Sequence, residues 1–172
     1  MITLGLALVF LLATPPELDH VRTTEPRILA ALTFGLERSV AFCDLVATLN
    51  ATDVIVYIVP KVGRDQIGGY LSHTLVSAGG HRYLRIAIDT RGSDNRVARR
   101  LAHELQHAVE VAHMTEARDE ESLRRVLADI AIPFRCNGHC YETQRALDVE
   151  SIVDRQLRQR SGKAACATPN CQ

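Results

Sequence analysis

The stretch Asp94 to His113, DNRVARRLAHELQHAVEVAH, constrains this chain most, because it assigns opposite faces of one helix to different tasks. At about 100° per residue, with His103 at 0°, His107 falls near 40° and Glu110 near −20°. Val97, Leu101, Leu105, Ala108 and Ala112 cluster instead between roughly 120° and 200°, the apolar stripe of a helix laid on a core. The histidines avoid that stripe, so core packing does not account for them. His103-Glu104-Leu105-Gln106-His107 is an H-E-x-x-H pattern: two His at i and i+4 can share one metal ion, and the Glu beside the first can take a proton from a water there. Shuffling this composition yields the pattern roughly 0.02 times per chain, before a helix is required. The plain alternative is an amphipathic helix with two His on its solvated side.

The rest of the chain supplies a small sheet and further helices. Glu25 to Glu37 and Ser39 to Leu49 read as helices, with Ser39 the N-cap of the second. Asp53 to Val59 (DVIVYIV) is β-branched and apolar, as a central strand would be, and Pro60 ends it. Gly68-Gly69 and Gly79-Gly80 bracket a strand from Tyr70 to Ala78. His81 to Asp89 alternates, with Leu84, Ile86 and Ile88 on one face. Ser93 or Asp94 caps the long helix. Asp119 to Asp129 is helical up to Pro133, and a last helix covers Tyr141 to Gln159. Helices, a short mixed sheet, then helices make an α+β fold, and 172 residues suit a single domain, which typically holds roughly 100–150.

A catalytic zinc site takes three protein ligands and keeps one position open for water. His113 lies near 280° on the same helix, well away from the pair. On the last helix, with Glu142 at 0°, Ala146, Val149, Val153 and Leu157 all fall within about 60°, so Glu142 sits in an apolar face where an unpaired carboxylate is unfavourable. A metal ion satisfies it; so would a buried ion pair with an arginine such as Arg100. Glu150 lies near 80°, at the edge of that face, and forms a Glu-x-x-x-Asp pair with Asp154, which makes it the alternate third ligand. Glu110 shares the His face as a carboxylate that could orient a ligand. His113, His139 and Tyr141 are candidates for stabilising an oxyanion, by proximity in sequence.

The N-terminus bears on the compartment. Ile2 to Ala13 is apolar and is followed by Thr14, Pro15 and Pro16. Twelve residues span about 18 Å, short of a bilayer core near 30 Å but suited to a secretory signal. Residues 1–14 are therefore expected to be a signal peptide ahead of a domain at 15–172, exported to a periplasmic or extracellular space; a first core helix and an uncleaved anchor are the alternatives. In an oxidising compartment Cys136, Cys140, Cys166 and Cys171 suggest two disulfides, whereas Cys43, among Val40, Ala41, Phe42, Leu45 and Val46, reads as a buried thiol. Twenty Lys+Arg balance 20 Asp+Glu, which removes the basic field that nucleic-acid binding needs.

HELQHAVE on a helix, followed by YETQRAL opening a later one, resembles gluzincin-type zinc metallopeptidases of minimal size. More narrowly, it is similar to small exported bacterial proteins with HELQH and a later Tyr- or Phe-Glu-Thr. The resemblance spans Asp53 to Leu157 loosely and is specific only at HELQH. It implies a zincin-like fold, Zn²⁺ held by His103 and His107, Glu104 as general base, and Glu142 as third ligand. It also implies a peptide or protein substrate, bound by β-augmentation along an edge strand, either Tyr70 to Ala78 or His81 to Asp89. A zincin-like binding module with little catalysis, and a disulfide-stapled domain with an accidental HELQH, are the rival functions.

Overall fold

The computed structural model describes residues 17–63, 67–133, 141–159 and Cys166. Five strands form one mixed sheet: β1 (Val21–Arg22), β2 (Val54–Pro60), β3 (Gly69–Leu71), β4 (Val76–Ala78) and β5 (His81–Ile88). β1, β2 and β5 run parallel, and β3 and β4 pair antiparallel with successive halves of β5. The helices are α1 (Pro26–Arg38), α2 (Val40–Asn50), α3 (Asp94–His113), α4 (Glu120–Ile130) and α5 (Gln144–Arg158). This is the α+β class that the sequence pattern predicts.

Strand β2 is buried through Val54, Ile55, Val56 and Ile58, as a central strand should be. Pro60, which offers no backbone N–H, is its last residue. The predicted strand from Tyr70 to Ala78 is two short strands separated by residues 72–75, and together they form the edge of the sheet. β5 lies between β2 and that edge, so His81 to Asp89 has no free edge of its own. Gly79 and Gly80, with φ of 57° and 81°, make the two-residue turn from β4 into β5, a conformation open to glycine at little cost. Ser39 caps α2 by accepting from the Phe42 N–H, and Ser93 caps α3 by accepting from the Arg96 N–H.

Two sequence expectations need correction. The last helix begins at Gln144, with Thr143 as its N-cap, so Glu142 is outside it and the helical-wheel placement of Glu142 does not apply. Glu142 is instead paired in a single β-bridge to Ile132, whose N–H donates to the Glu142 carbonyl at 2.8 Å. Thr143 starts the helix late because its hydroxyl accepts from the Ala146 N–H as an N-cap. The second correction is covalent. Cys43 is no free thiol: it is bonded to Cys166 across 123 positions, which also takes Cys166 out of the proposed C-terminal pairings. Cys43 lies on the buried side of α2, and the tail returns to meet it over the Leu36 carbonyl. A disulfide points to an oxidising compartment. Cys136, Cys140 and Cys171 lie outside the described residues.

Helix α3 crosses the inner side of the sheet, packed by α1, α2 and α5, and is tied to strands at both ends. At its N-terminal end Arg100 reaches the Asp89 carbonyl at 2.9 Å and the Asp89 carboxylate at 3.2 Å. Hydrogen bonds from Arg91 hold the Asp89 carboxyl far below the usual range. Arg27 of α1 pairs with Asp94 in the first turn of α3. At the C-terminal end Arg82 of β5, fully buried, forks onto Asp53 at 2.6 and 2.9 Å. It also donates to the carbonyls of Val111, Ala112, Met114 and Ala117 at 2.8–3.3 Å. A cation there satisfies acceptors that the helix end leaves open.

Replacing Arg82 with Met should cost about 1–3 kcal/mol in a denaturant titration, because it takes a hydrogen-bond donor from four carbonyls and leaves Asp53 with Arg118 alone. Hydrogen bonds from Arg82, more than the nearby charges of Arg82 and Arg118, hold the Asp53 carboxyl below its ordinary value. Its contribution is present above about pH 4 and lost as pH falls through the folded value. The acid limb of a stability-versus-pH curve should therefore be shallower in Asp53→Asn than in the wild type.

Candidate metal centre

The face of α3 opposite the core stripe is covered rather than solvated. His107 and Glu110 are buried, and His103 is partly so, because α5 packs along this side. The imidazole rings of His103 and His107 meet at a centroid distance of 4.9 Å, with their Nε2 atoms 3.2 Å apart. The Oε1 atom of Glu142 lies 3.4 Å from His103 Nε2 and 3.8 Å from His107 Nε2. These three residues form a group close enough to bind one metal ion. Glu142 thus joins the histidines, as expected, but from the loop ahead of α5 and not from its apolar face. Arg100, the alternative partner, is engaged with Asp89.

The opposite ring nitrogens explain why the Nε2 atoms converge. His107 Nδ1 sits 3.0 Å from Glu110 Oε2, and His103 Nδ1 sits 3.0 Å from Glu150 Oε2. Burial draws the Glu110 carboxyl upward, but hydrogen bonds with His107, Thr143 and Gln106 together hold it below its ordinary value. For Glu150 the His103 hydrogen bond leads and outweighs burial, with Arg99 assisting at 3.2 Å. A carboxylate only accepts, so each Nδ1–H is directed at its glutamate and each Nε2 faces the other ring. The two Nε2 atoms, 3.2 Å apart beside a carboxylate oxygen, converge as the ligands of one metal ion would. For His103, burial opposes the charged ring, but the Glu150 hydrogen bond and the charges of Glu104, Glu142 and Glu150 raise its pKa overall.

Glu150 therefore stands behind His103 as an orienting partner and is not among the three converging groups. Glu110 has the same relation to His107, in keeping with its place on the His face. Thr143, given no role of its own by the sequence, links the parts. Its hydroxyl donates to Glu110 Oε1 at 2.7 Å while capping α5 through the Ala146 N–H, and its own N–H donates to Glu142 Oε1 at 2.9 Å. A Thr three residues before Ala146, ahead of a periodic stretch, is an N-cap signal that could have revealed it.

Glu104 points the other way, toward β3. Its carboxylate accepts the Leu71 N–H, and burial pushes its pKa up. A side chain at Gly69 would reach 3.1 Å from Glu104 Oε1 and 2.7 Å from Ile88, so this edge of the sheet can approach Glu104 only with glycine there. Tyr141 packs its ring against His73 at 5.2 Å, next to Glu142 in the chain. His113 is exposed at the end of α3, where it lines a cavity of ≈ 460 Å³ with Glu110, Met114, Ile130, Ile132 and Thr143. His139 lies outside the described residues. No family model, curated protein or solved structure matches the chain.

Exchanging Glu110 for Leu should weaken metal binding by about 10–100-fold while leaving the three ligating side chains in place. Competition against a chromophoric chelator would measure it. An unchanged affinity would show that Glu110 does not orient His107.

Proposed function

We propose that this protein is an exported zinc-dependent hydrolase, of the gluzincin type that HELQH resembles, which cleaves peptide bonds. The observation that carries the reading is the convergence of His103 Nε2, His107 Nε2 and Glu142 Oε1 beside a buried Glu104. A tetrahedral ion with bonds of about 2.0–2.1 Å keeps its ligand atoms about 3.3 Å apart, and zinc takes this geometry with nitrogen and oxygen donors. The separations of 3.2, 3.4 and 3.8 Å fit that requirement. Two imidazoles and one carboxylate also form the ligand set that leaves a fourth position open. Bound there, zinc would supply Lewis acidity to a water and to the scissile carbonyl.

The chain's own groups then divide the work. Glu104, with its affinity for a proton raised by burial, takes a proton from the attacking water and returns it to the leaving amine. The Leu71 N–H, donating to Glu104, holds the carboxylate in one orientation. Glu110 and Glu150 keep both imidazoles in the tautomer that ligates. The β3–β4 edge presents backbone groups along the side of the sheet nearest Glu104, where an extended peptide can add as a further strand. The Cys43–Cys166 disulfide supports export, as does the apolar run from Ile2 to Ala13.

Elemental analysis of the purified protein should find one equivalent of zinc in the wild type and in Glu104→Gln. Peptide hydrolysis should fall by about 10²–10⁴-fold in the variant. A wild-type protein that takes up no metal would sink the proposal. Full zinc occupancy with no cleavage of a broad peptide library would favour a binding module instead.

A further inference from the structure

The helices pack on one side of the sheet, and the strand register defines what the other side presents. Arg22 pairs with Tyr57, Tyr57 with Arg85, Val76 with Tyr83 and Tyr70 with Ala87, so all of these side chains share the outer face. Tyr57, Tyr70 and Val76 leave 42%, 47% and 53% of their surface to solvent. The rings of Tyr57 and Tyr83 stack with centroids 6.4 Å apart and planes 26° apart. Arg22 lies over the Tyr57 ring at 5.9 Å and donates to its hydroxyl at 3.3 Å. Three of the four tyrosines in the chain are on this one face.

The strands contribute only positive charge to this side, although Asp19, exposed just before β1, accepts from Arg22 through its backbone carbonyl at 2.8 Å. None of the five strands carries Asp or Glu; Arg22 and Arg85 are exposed, while Arg82 points inward to Asp53. The nearby Asp53 is itself held by Arg82 and Arg118. Aliphatic groups continue past the end of the sheet, where Val62 is almost wholly exposed and Ile67 half so. Tyrosines, the exposed Val76 and two exposed arginines on one surface are what a lipid headgroup region accommodates: rings at the boundary, cations against phosphate.

We infer that the outer face of the sheet, through Arg22, Tyr57, Tyr70, Val76, Tyr83 and Arg85, is a docking surface for an anionic phospholipid bilayer. His103 and His107 of α3 lie on the opposite side of the sheet, so a membrane-docked protein leaves them free. Docking of this kind does not depend on hydrolytic activity.

The chain has no Trp, so its intrinsic emission is tyrosine emission and reports mainly on this face. The full chain is mixed with vesicles of phosphatidylcholine, or of phosphatidylcholine with phosphatidylglycerol, both doped with nitroxide-labelled lipid. Quenching and co-sedimentation are expected with the phosphatidylglycerol vesicles, weakened by salt. Arg22→Glu with Arg85→Glu should lower the apparent affinity by at least about tenfold at unchanged circular dichroism and metal content. Tyr70→Ser with Arg85→Ser serves as a milder second variant, with a smaller loss in the same direction. Equal quenching on both vesicle types, or binding that neither variant alters, would assign attachment to residues 2–13 and overturn the inference. Absence of quenching would overturn it too, as would protection of the tyrosines from a soluble quencher by an anionic polysaccharide but not by vesicles.

Discussion

A guanidinium with no exposed surface organises this protein. Arg82 is carried on β5, forks onto Asp53 at the head of β2 and caps the C-terminal turn of α3 through four carbonyls. It therefore joins the two central strands to the helix that bears both histidines. A buried charge is tolerable only when paired and fully hydrogen-bonded, and this one is, by Asp53 and by carbonyls of the last turn of α3 and the segment that follows it. At the other end of α3, Ser93, Asp94 and Arg100 hold to the chain around β5 and α1. With both ends held, the rotation of α3 about its axis is settled, and so is which side chains face β3 and which face α5.

That rotation creates the site. Glu104 meets β3, while His103, His107 and Glu110 meet α5 and the loop before it. Four carboxylates and two imidazoles share a poorly solvated space, an arrangement whose repulsion only bound cations or protons can relieve. The carboxylates are sorted by what they touch. Glu110 and Glu150 grip Nδ1 atoms and are held in the ionised form, Glu142 faces the two Nε2 atoms, and Glu104 has burial as its main influence and a raised pKa. Environment alone sets four residues of one type apart: two against Nδ1 atoms, one against the Nε2 pair and one against β3.

Much of this architecture is legible in the amino-acid sequence. The helices and strands follow the residue pattern closely, since β-branched runs, caps and turn glycines act locally. HELQH is legible because its spacing is a property of one helix. A helical wheel reaches Glu142 for the wrong reason: the carboxylate is buried, but through a β-bridge to Ile132 and not through a helical face. The Cys43–Cys166 bond and the partition of the Tyr70 to Ala78 stretch are hidden from the sequence because both depend on contacts between distant segments. Arg82 and the outward-facing Arg85 stand three positions apart on the same strand. Alternation places Arg82 with Leu84 and Ile86, yet only the acceptors at the end of α3 make a buried arginine tolerable.

By itself the sequence determined which segments are helix and strand, that two histidines share a helical face, and that a glutamate stands between them in the chain. These follow from periods of 3.6 and 2.0, which require no knowledge of neighbours. The tertiary structure decided the rest: that the His face is buried against α5, that Glu142 and not Glu150 turns its oxygen to both Nε2 atoms, and that Thr143 couples this carboxylate to Glu110. A coordination site is set by distances of a few ångströms between side chains far apart in sequence, and only the packing of α3 between the sheet and α5 sets those distances.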